Sequence, residues 1–259
     1  MAVEILSPRE IEKLRVASQV ARATLRGAGA LLKPGLTAAE IDAFIRADTA
    51  RVGGTPSQLG YHGFPASVCV SRNEVICHGI PTEKVVFSDG DIVNLDVTTK
   101  LNGFHGDTSE TFFVGTPSPE ARHLVESARR ARDAGIAVVR PGATLGDIGF
   151  AIQEVARAAG CTIVREFGGH GIGRNMHMDP HVSHFGARGA GLKLRAGMAF
   201  TIEPMLNLGG ADIKELADGW TIVTADGKWS AQCEHTVVVT ATGVEVLTRD
   251  PDDSPMFSS

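Results

Sequence analysis

Two acidic residues, Asp96 and Glu203, stand at equivalent places in two copies of one sequence pattern. The segment DGDIVNLD (89–96) aligns with AGMAFTIE (196–203), an offset of 107 residues. The same offset relates an earlier Lys-Pro-Gly sequence to a later Arg-Pro-Gly sequence. The chain is therefore predicted to be a duplicated half, and equivalent positions of such halves meet near their pseudo-two-fold axis. Two acids at equivalent strand positions indicate a shared charged site.

Each of these acids has a second acid nearby on an adjacent predicted strand. In the first half, a predicted hairpin turns at Asn102-Gly103. Its register puts Asp96 and Asp107 on one face, one diagonal step apart and separated by roughly 7–8 Å or less. In the second half, Glu234 lies on the returning strand in the same way. Four converging carboxylates repel one another, so the pattern predicts a bound cation.

A histidine adds a nitrogen ligand to this set. His170 lies in the glycine-rich sequence GGHGIG, where the glycines permit close backbone approach. One imidazole and four carboxylates form a hard, oxygen-rich site that suits two divalent ions sharing bridging carboxylates. His78 and His177 are weaker candidates when their local sequences are taken alone.

Simpler interpretations stay open at this point. Around Asp96 the polar residues Asn94, Asp96 and Thr98 all have one parity, which is typical of a solvent-facing strand. His170 could equally be a turn histidine in solvent. The metal site is favoured because Glu203, at the duplicated position, lies in a mostly apolar strand.

Two helices and a pair of strands in each half are predicted to position these residues. The first helix of each half begins at a Ser-Pro sequence, and the second begins at a threonine capping box. The four predicted strands are 92–100, 104–114, 198–206 and 228–240. Helices grouped together, followed by strands grouped together, favour an α+β fold.

The internal match favours one domain made of two interlocked halves. The chain has 259 residues, enough for a large core. We expect a single catalytic domain over 1–259, with half-repeats at about 7–115 and 116–248. The polar, proline-containing segment 250–259 is expected to be a mobile tail.

Composition excludes several classes of function. The net charge is −5 and the pI is about 6.0, which argues against a nucleic-acid substrate because phosphates require a basic surface. No apolar run reaches the roughly 18 residues of a membrane span, and the N-terminus lacks the layout of a signal peptide. The four cysteines form no Cys-x-x-Cys pair and are expected to be reduced. A cytoplasmic monomer that does not bind membranes is the expectation.

Several motifs together resemble the type I methionine aminopeptidases. They are GYHGFPASVCVSRNEVICHGIP, DGDIVNLDVTTKLNGFHGDTSETF, GGHGIGRNMH, TIEPM and CEHTVVVT. The match runs from Ser7 to about Thr248 and contains five metal-ligand positions in order. The resemblance implies a pita-bread fold and hydrolytic removal of the initiator methionine from nascent polypeptides when the second residue is small. The ribosome is a further candidate partner.

The resemblance also assigns roles to the metal ligands and catalytic residues. Asp96 would bind one metal, His170 and Glu203 the other, and Asp107 and Glu234 would bridge both. A water between two divalent ions has a lowered pKa and becomes a nucleophile. The resemblance further implies that Glu203 carries the proton to the leaving amine, and that His78 and His177 contact the peptide bond.

A methionine pocket and a monovalent cation site are implied in the same way. The substrate-binding positions are Gln58, Tyr61, Phe64, Cys69, His78, Met176, His177 and Trp220. Phe64 replaces a tyrosine common in the family, Gln58 a cysteine found in some members, and Met176 a bulkier aromatic residue. The monovalent cation would be bound at Asn73, Val75 and Ser230.

Two alternatives accompany this interpretation. The first is a proline-dependent aminopeptidase or dipeptidase of the same fold, although those relatives carry a large additional N-terminal domain. The second is a pita-bread binding protein without catalysis, although such proteins have lost metal ligands. A short, bacterial-style type I enzyme is preferred because the chain lacks the long helical insertion of type II relatives. Cobalt, iron, manganese and zinc all suit the expected ligands.

Overall fold

The computed structural model describes residues 3–250 and has the predicted α+β architecture. Its helices are α1 (Pro8–Leu31), α2 (Ala38–Arg51), α3 (Pro119–Ala137) and α4 (Leu145–Ala158). Its strands are β1 (Thr55–Pro56), β2 (Cys69–Arg72), β3 (Val75–Cys77), β4 (Ile92–Leu101), β5 (Phe104–Phe113), β6 (Thr162–Ile163), β7 (Gly169–Gly171), β8 (Met178–Val182), β9 (Ala199–Ile202), β10 (Met205–Asn207), β11 (Ile213–Glu215), β12 (Ile222–Thr224), β13 (Ser230–Gln232), β14 (His235–Val239) and β15 (Val244–Val246).

Polar caps begin the helices as predicted. The hydroxyl of Thr37 accepts a hydrogen bond from the N–H of Glu40, and the Glu40 carboxylate accepts one from the N–H of Thr37. Thr144 and Asp147 form the same reciprocal pair at the start of α4. Each such pair satisfies two helix-end N–H groups that have no partner within the helix. The predicted helix starts are therefore confirmed in both halves.

The predicted hairpin of the first half is also confirmed. Strands β4 and β5 pair over their full length and turn at Asn102-Gly103, where both residues have positive φ. Asp96 lies opposite Ser109, and Asp107 lies opposite Thr98. The two acids therefore lie on one face of the hairpin, one diagonal step apart.

In the second half the predicted long strands are wrong, because each one is interrupted at an acid. The segment 198–206 splits into β9 and β10 around Glu203-Pro204, and the segment 228–240 contains β13 and β14, separated at Cys233-Glu234. Proline has no N–H to donate, and the N–H of Glu203 is directed to Nε2 of His184. The N–H of Glu234 donates to the carbonyl of Ser109 in the first half, at 2.9 Å. These backbone groups bond outside the local ladder, so the ladder breaks.

The strands form four sheets, two of which are small. Their orders are β1–β4–β2 with β5 paired to β4, then β13–β10–β6, then β11–β12–β3, and finally β15–β14–β9–β7–β8. The pairing of β12 with β3 joins the connection 208–229 of the second half to the first half. This pairing brings Trp220 towards the first-half loops that follow β1.

The halves meet along a polar seam, which we define as the contact between β5 and residues 232–236. The hydroxyl of Thr111 donates to the carbonyl of Gln232 at 2.6 Å, and the hydroxyl of Thr236 donates to the carbonyl of Asp107 at 2.8 Å. These groups are buried, so the bonds replace those that water would make. Apolar clusters lie on either side, around Ile41 and Leu95 in the first half and around Phe200 in the second.

Within residues 3–250, we find no helix that is both long and apolar enough to cross a membrane. The segment 251–259, which makes up most of the predicted tail, lies outside the described residues. Asp250, the first residue of the predicted tail, is described and forms an ion pair with Arg22 at 2.8 Å.

Candidate metal centre and active site

A cavity of about 510 Å³ opens between the two halves. Its walls contain every residue that the sequence analysis assigned to divalent-metal binding, catalysis or substrate binding. These residues are Gln58, Tyr61, Phe64, Cys69, His78, Asp96, Asp107, His170, Met176, His177, Glu203, Trp220 and Glu234. Residues from both halves and from distant parts of the chain therefore share one space.

The acids lie close together at the polar end of this cavity. Ligand atoms of Asp107, His170 and Glu234 all lie within 4.8 Å of one another. The His170 ring nitrogen Nε2 is 3.6 Å from a carboxylate oxygen of Glu203. The Asp107 carboxylate also acts on Asp96, because its negative charge helps to raise the pKa of that neighbouring acid. The spacing is that of ligands around a common centre.

Neighbouring hydroxyl and amide groups orient most of these carboxylates. Thr98 donates to Asp107 at 2.7 Å. Thr201 donates to one oxygen of Glu203 at 2.6 Å, and Gln232 donates to the other at 3.1 Å. Such partners fix the direction in which a carboxylate presents its remaining lone pairs.

One oxygen of Glu234 tests whether these residues fit a metal ion. Oε1 of Glu234 is buried and has no hydrogen-bond partner among the described residues. A buried carboxylate oxygen without a partner is costly, whereas a cation bound beside it satisfies its lone pairs. Together with the oxygen and imidazole donors around it, this atom indicates that the cluster fits a divalent cation.

The acidities of the cluster agree with this interpretation. Burial raises the pKa of Glu203 to about 8 and that of Asp107 to about 6. Burial, together with the neighbouring Asp107 and Glu203, also raises the pKa of both Asp96 and Glu234. Carboxyl groups that are buried close together stay protonated unless a bound cation compensates their negative charge.

The histidines at the site are neutral bases. Burial lowers the pKa of His170 to about 3, and partial desolvation of the more exposed His177 lowers its pKa to about 4. Burial also lowers the pKa of His78. Nδ1 of His177 lies 2.7 Å from the hydroxyl of Tyr61, and its ring packs edge-on against His170 with centroids 4.2 Å apart. Neutral imidazole is the form that can bind a metal ion or donate a single hydrogen bond.

Both simpler interpretations of the sequence are wrong. Asn94 and Thr98 are 3% and 2% exposed, so the face that carries Asp96 is not turned to solvent. Asn94 instead donates a hydrogen bond from β4 to the carbonyl of Gln232 in the other half. His170 lies in β7, and its side chain is only 14% exposed.

Comparison with known proteins identifies the family. The model of metallopeptidase family M24 matches residues 12–241. A methionine aminopeptidase A of Synechocystis sp. is 51% identical over 246 residues, covering 95% of this chain and 97% of that protein. This chain belongs to the methionine aminopeptidase family. Its 45–51% identity to such proteins over nearly the full length supports the short, bacterial type I form.

Solved structures of the family share the architecture. The crystal structure of methionine aminopeptidase from Rickettsia prowazekii superposes with a TM-score of 0.94 at 42% identity, covering 96% of this chain and 100% of that one. The predicted pita-bread fold is thereby confirmed. A Xaa-Pro dipeptidase from Bacillus anthracis has a TM-score of 0.76 at 24% identity, and 63% of it is covered. That likeness shows the fold alone.

The predicted methionine pocket of this aminopeptidase is apolar. Phe64 and Trp220 pack edge-to-face with ring centroids 5.1 Å apart, and Cys69 and Met176 lie in the same cavity wall. Burial raises the pKa of Cys69 well above its usual range, so the thiol is neutral. Gln58 has a structural role as well, because its amide bonds the carbonyl of Asp96 and the N–H of Thr98.

The predicted monovalent cation positions lie outside this cavity. The carbonyl of Asn73 accepts the N–H of Ser230 at 2.8 Å, and Oγ of Ser230 is buried without a partner among the described residues. Val75 begins the short strand β3 beside them. A cation at these positions stays a prediction.

Sequence reasoning missed several residues that support the site. Thr98 could have been found, because it shares the parity of Asp96 on β4. Thr201, His184 and Gln232 carried no local signal, although all three contact Glu203 through a side chain or the backbone. Phe167, whose ring meets that of His78 at 5.4 Å, was also missed.

Proposed function

We propose that the chain hydrolyses the peptide bond that follows an N-terminal methionine, preferring a small second residue. The observation that carries the proposal is one cavity in which the acidic cluster, with the unpartnered oxygen of Glu234, adjoins an apolar slot. The slot, lined by Phe64, Cys69 and Met176, matches the apolar, polarisable thioether side chain of methionine. The acidic cluster matches the positively charged free amine beside it.

The proposed ligands would hold two divalent ions. Asp96 would contribute to one ion, His170 and Glu203 would contribute to the other, and Asp107 and Glu234 would contribute to both. Divalent ions bound in such a centre lower the pKa of water and polarise carbonyl groups. Cobalt, iron, manganese and zinc all suit these donors, and metal analysis of protein prepared without oxygen would identify the one used in the cell.

Glu203 is the proposed proton carrier. As the water oxygen attacks the carbonyl carbon, the carboxylate of Glu203 accepts the water proton. It then passes the proton to the amide nitrogen as the carbon–nitrogen bond breaks, which releases methionine and the shortened chain. Support comes from Thr201 and Gln232, whose hydrogen bonds hold both oxygens in place beside the ring of His170.

His177 and His78 are proposed to stabilise charge on the substrate. If the Tyr61 hydroxyl donates to Nδ1 of His177, the ring proton is on Nε2, which is then free to donate to the carbonyl oxygen. The neutral ring of His78 lies across the cavity between Phe167 and Trp220. Both can donate to the oxygen that gains negative charge.

The proposed setting is the cytoplasm, with nascent polypeptide N-termini as substrates and the ribosome as a partner. We further propose that the protein acts as a monomer. A monovalent cation at Asn73, Val75 and Ser230 belongs to the same proposal and would stabilise the turn beside β3.

Peptide hydrolysis tests this function. Purified protein is assayed on Met-Ala-Ser, Met-Phe-Ser, Leu-Ala-Ser and Pro-Ala-Ser, without metal and with Mn²⁺, Co²⁺, Fe²⁺ or Zn²⁺. We expect metal-dependent release of methionine from Met-Ala-Ser, with much slower cleavage of the other three peptides. No methionine release with any of the four metals would contradict the proposal. Leu-Pro is assayed in addition, and its cleavage in preference to Met-Ala-Ser would favour the prolidase alternative.

Two ligand variants serve as controls for the metal centre. Asp96→Asn and Glu234→Gln preserve side-chain shape but remove charge from a proposed ligand. We expect losses larger than the about 10–100-fold typical of residues that only support a metal ligand. Circular dichroism should show an intact fold, and full activity in either variant would refute its assignment.

A further inference from the structure

A buried charge cluster lies behind the proposed metal centre and has no role in the mechanism above. Glu110, on β5, is 8% exposed and is surrounded by three guanidinium groups. Arg129 donates to Oε1 at 2.7 Å, while Arg132 and Arg22 approach Oε2 at 3.5 and 3.8 Å. Arg22 comes from α1 of the first half, and the other two come from α3 of the second half. The carboxylate is therefore clamped by helices from both halves.

This cluster reaches the metal centre through one thiol. Sγ of Cys233 donates to Oε1 of Glu110 at 3.4 Å, and Cys233 is fully buried. The next residue is the proposed bridging ligand Glu234, whose N–H donates to Ser109 and whose carbonyl accepts from Thr108. Three consecutive residues of β5, Thr108 to Glu110, thus contact the two adjacent residues at the break between β13 and β14.

Glu234 depends on such backbone support more than Asp107 and Glu203 do. Thr98 holds the carboxylate of Asp107, and Thr201 and Gln232 hold that of Glu203. Oε1 of Glu234 has no such partner among the described residues. Its direction is therefore set by its backbone and by the contacts of neighbouring residues.

We propose that Cys233 is a positioning residue, which anchors to the Glu110 carboxylate and so directs the side chain of Glu234 into the metal centre. This inference rests on the proposed function, because it takes Glu234 to be a ligand. The arginines contribute by fixing Glu110, which gives the thiol a rigid acceptor.

Metal affinity tests this role without relying on activity. Mn²⁺ binding to the metal-free protein is measured by calorimetry for wild type, Cys233→Val, Cys233→Ser and Cys161→Val. Valine keeps the bulk of the thiol but cannot donate, whereas serine can. Cys161→Val is a matched control, since Cys161 is also a buried thiol but lies away from the cavity.

We expect Cys233→Val to weaken Mn²⁺ binding about tenfold or more, the range seen when a partner of a metal ligand is lost. Cys233→Ser should retain most of the affinity, and Cys161→Val should bind like wild type. The melting temperatures of the metal-free Cys233→Val and Cys161→Val variants should fall by similar amounts. An affinity loss confined to Cys233→Val then separates positioning from general loosening of the core.

The outcomes distinguish this inference from the proposed function. If wild type does not bind Mn²⁺, the metal centre itself is wrong. If wild type binds and Cys233→Val binds equally well, or if Cys233→Ser or Cys161→Val loses as much affinity, only the positioning role is wrong. Should Cys233→Val fail to fold, Arg129→Met provides the test instead. Arg129 is partly exposed, and its replacement removes one of the groups that hold the Glu110 carboxylate in place. Unchanged Mn²⁺ affinity in that variant would overturn the inference.

Discussion

A single contact with Tyr61 can fix the tautomer of His177. Their Nδ1 and hydroxyl atoms lie 2.7 Å apart. When the phenol donates, Nε2 must carry the ring proton, and the neutral imidazole becomes a hydrogen-bond donor towards the cavity. Partial desolvation of the still exposed His177 lowers its pKa to about 4 and keeps this form at neutral pH.

We therefore predict that His177→Ala lowers kcat on Met-Ala-Ser by about 10²–10³-fold with little change in KM. The size is that expected for loss of one donor to a developing oxyanion. Tyr61→Phe should have a smaller effect in the same direction, because the ring remains but its tautomer is no longer fixed. His123→Ala, which alters a histidine outside the cavity, is the control. A rise in KM at constant kcat would instead indicate a role in substrate binding.

Gln58 shows how a pocket position can also support a ligand. Its side-chain amide bonds the carbonyl of Asp96 and the N–H of Thr98 in the way that a neighbouring strand would. The effect of this side chain therefore extends beyond the pocket surface. It fixes the backbone on both sides of Val97, and hence the direction of Asp96.

Among the elements of the first half, α1 and β5 approach each other closely. Gly106, next to Asp107, packs directly on the helix backbone at Ala17 and Ser18. A Cβ atom at position 106 would overlap both residues, and backbone cannot rotate aside as a side chain can. The φ of Gly106 is not in the left-handed region, so backbone conformation does not require glycine here. Packing requires it instead.

Gly106→Ala should lower the free energy of unfolding by about 1–3 kcal/mol, the usual cost of overpacking a core. Chemical denaturation of the metal-free protein measures this difference. Gly243→Ala is the matched control, since a Cβ there has no heavy atom within 4 Å, and it should change stability by about 0.5 kcal/mol or less. Equal stability of Gly106→Ala and wild type would show that α1 can shift away from β5 at little cost.

At the scale of the whole molecule, the metal-free protein contains a group of buried acids that resist ionisation. Burial raises the pKa of Glu203 to about 8, while a carboxyl in the unfolded chain titrates near 4.5. Between these values the folded state holds more protons than the unfolded state, so the free energy of unfolding falls as pH rises. Histidines with lowered pKa oppose this trend below about pH 6.5, but they are neutral in both states above pH 7.

Between pH 7 and 8.5 we predict that metal-free protein loses stability, by up to about 1.4 kcal/mol per pH unit for each carboxylate still protonated. Saturating Mn²⁺ should abolish most of this slope, because a cation compensates the ionised form. Glu203→Gln should flatten the metal-free slope, whereas the surface variant Glu120→Gln should not. Thermal unfolding across this pH range, with EDTA or with Mn²⁺, measures the change of stability with pH. Equal slopes under the two conditions would contradict the prediction.

Much of the fold was predictable because its signals are local. Capping residues such as Thr37 and Thr144 start helices through hydrogen bonds that reach only three residues along the chain, and Asn102-Gly103 specifies a hairpin turn from two residues alone. The strand break at Glu203 also has a local signal, because Pro204 has no N–H to donate. The break at Glu234 has no such signal, since it depends on a hydrogen bond to Ser109, which is distant in sequence.

The amino-acid sequence alone carries the duplicated pattern, the helix and hairpin boundaries, and the residue types of the proposed metal ligands. These follow from residue type and spacing, which act over a few positions or repeat at a fixed offset. The unequal support of the acids in the cluster arises only from tertiary contacts. Glu203 is held by Thr201 and Gln232, whereas Glu234 depends on a backbone fixed across the polar seam and on the contact of Cys233 with Glu110. Such support consists of contacts between residues far apart in the chain, and it exists only once the two halves have packed together.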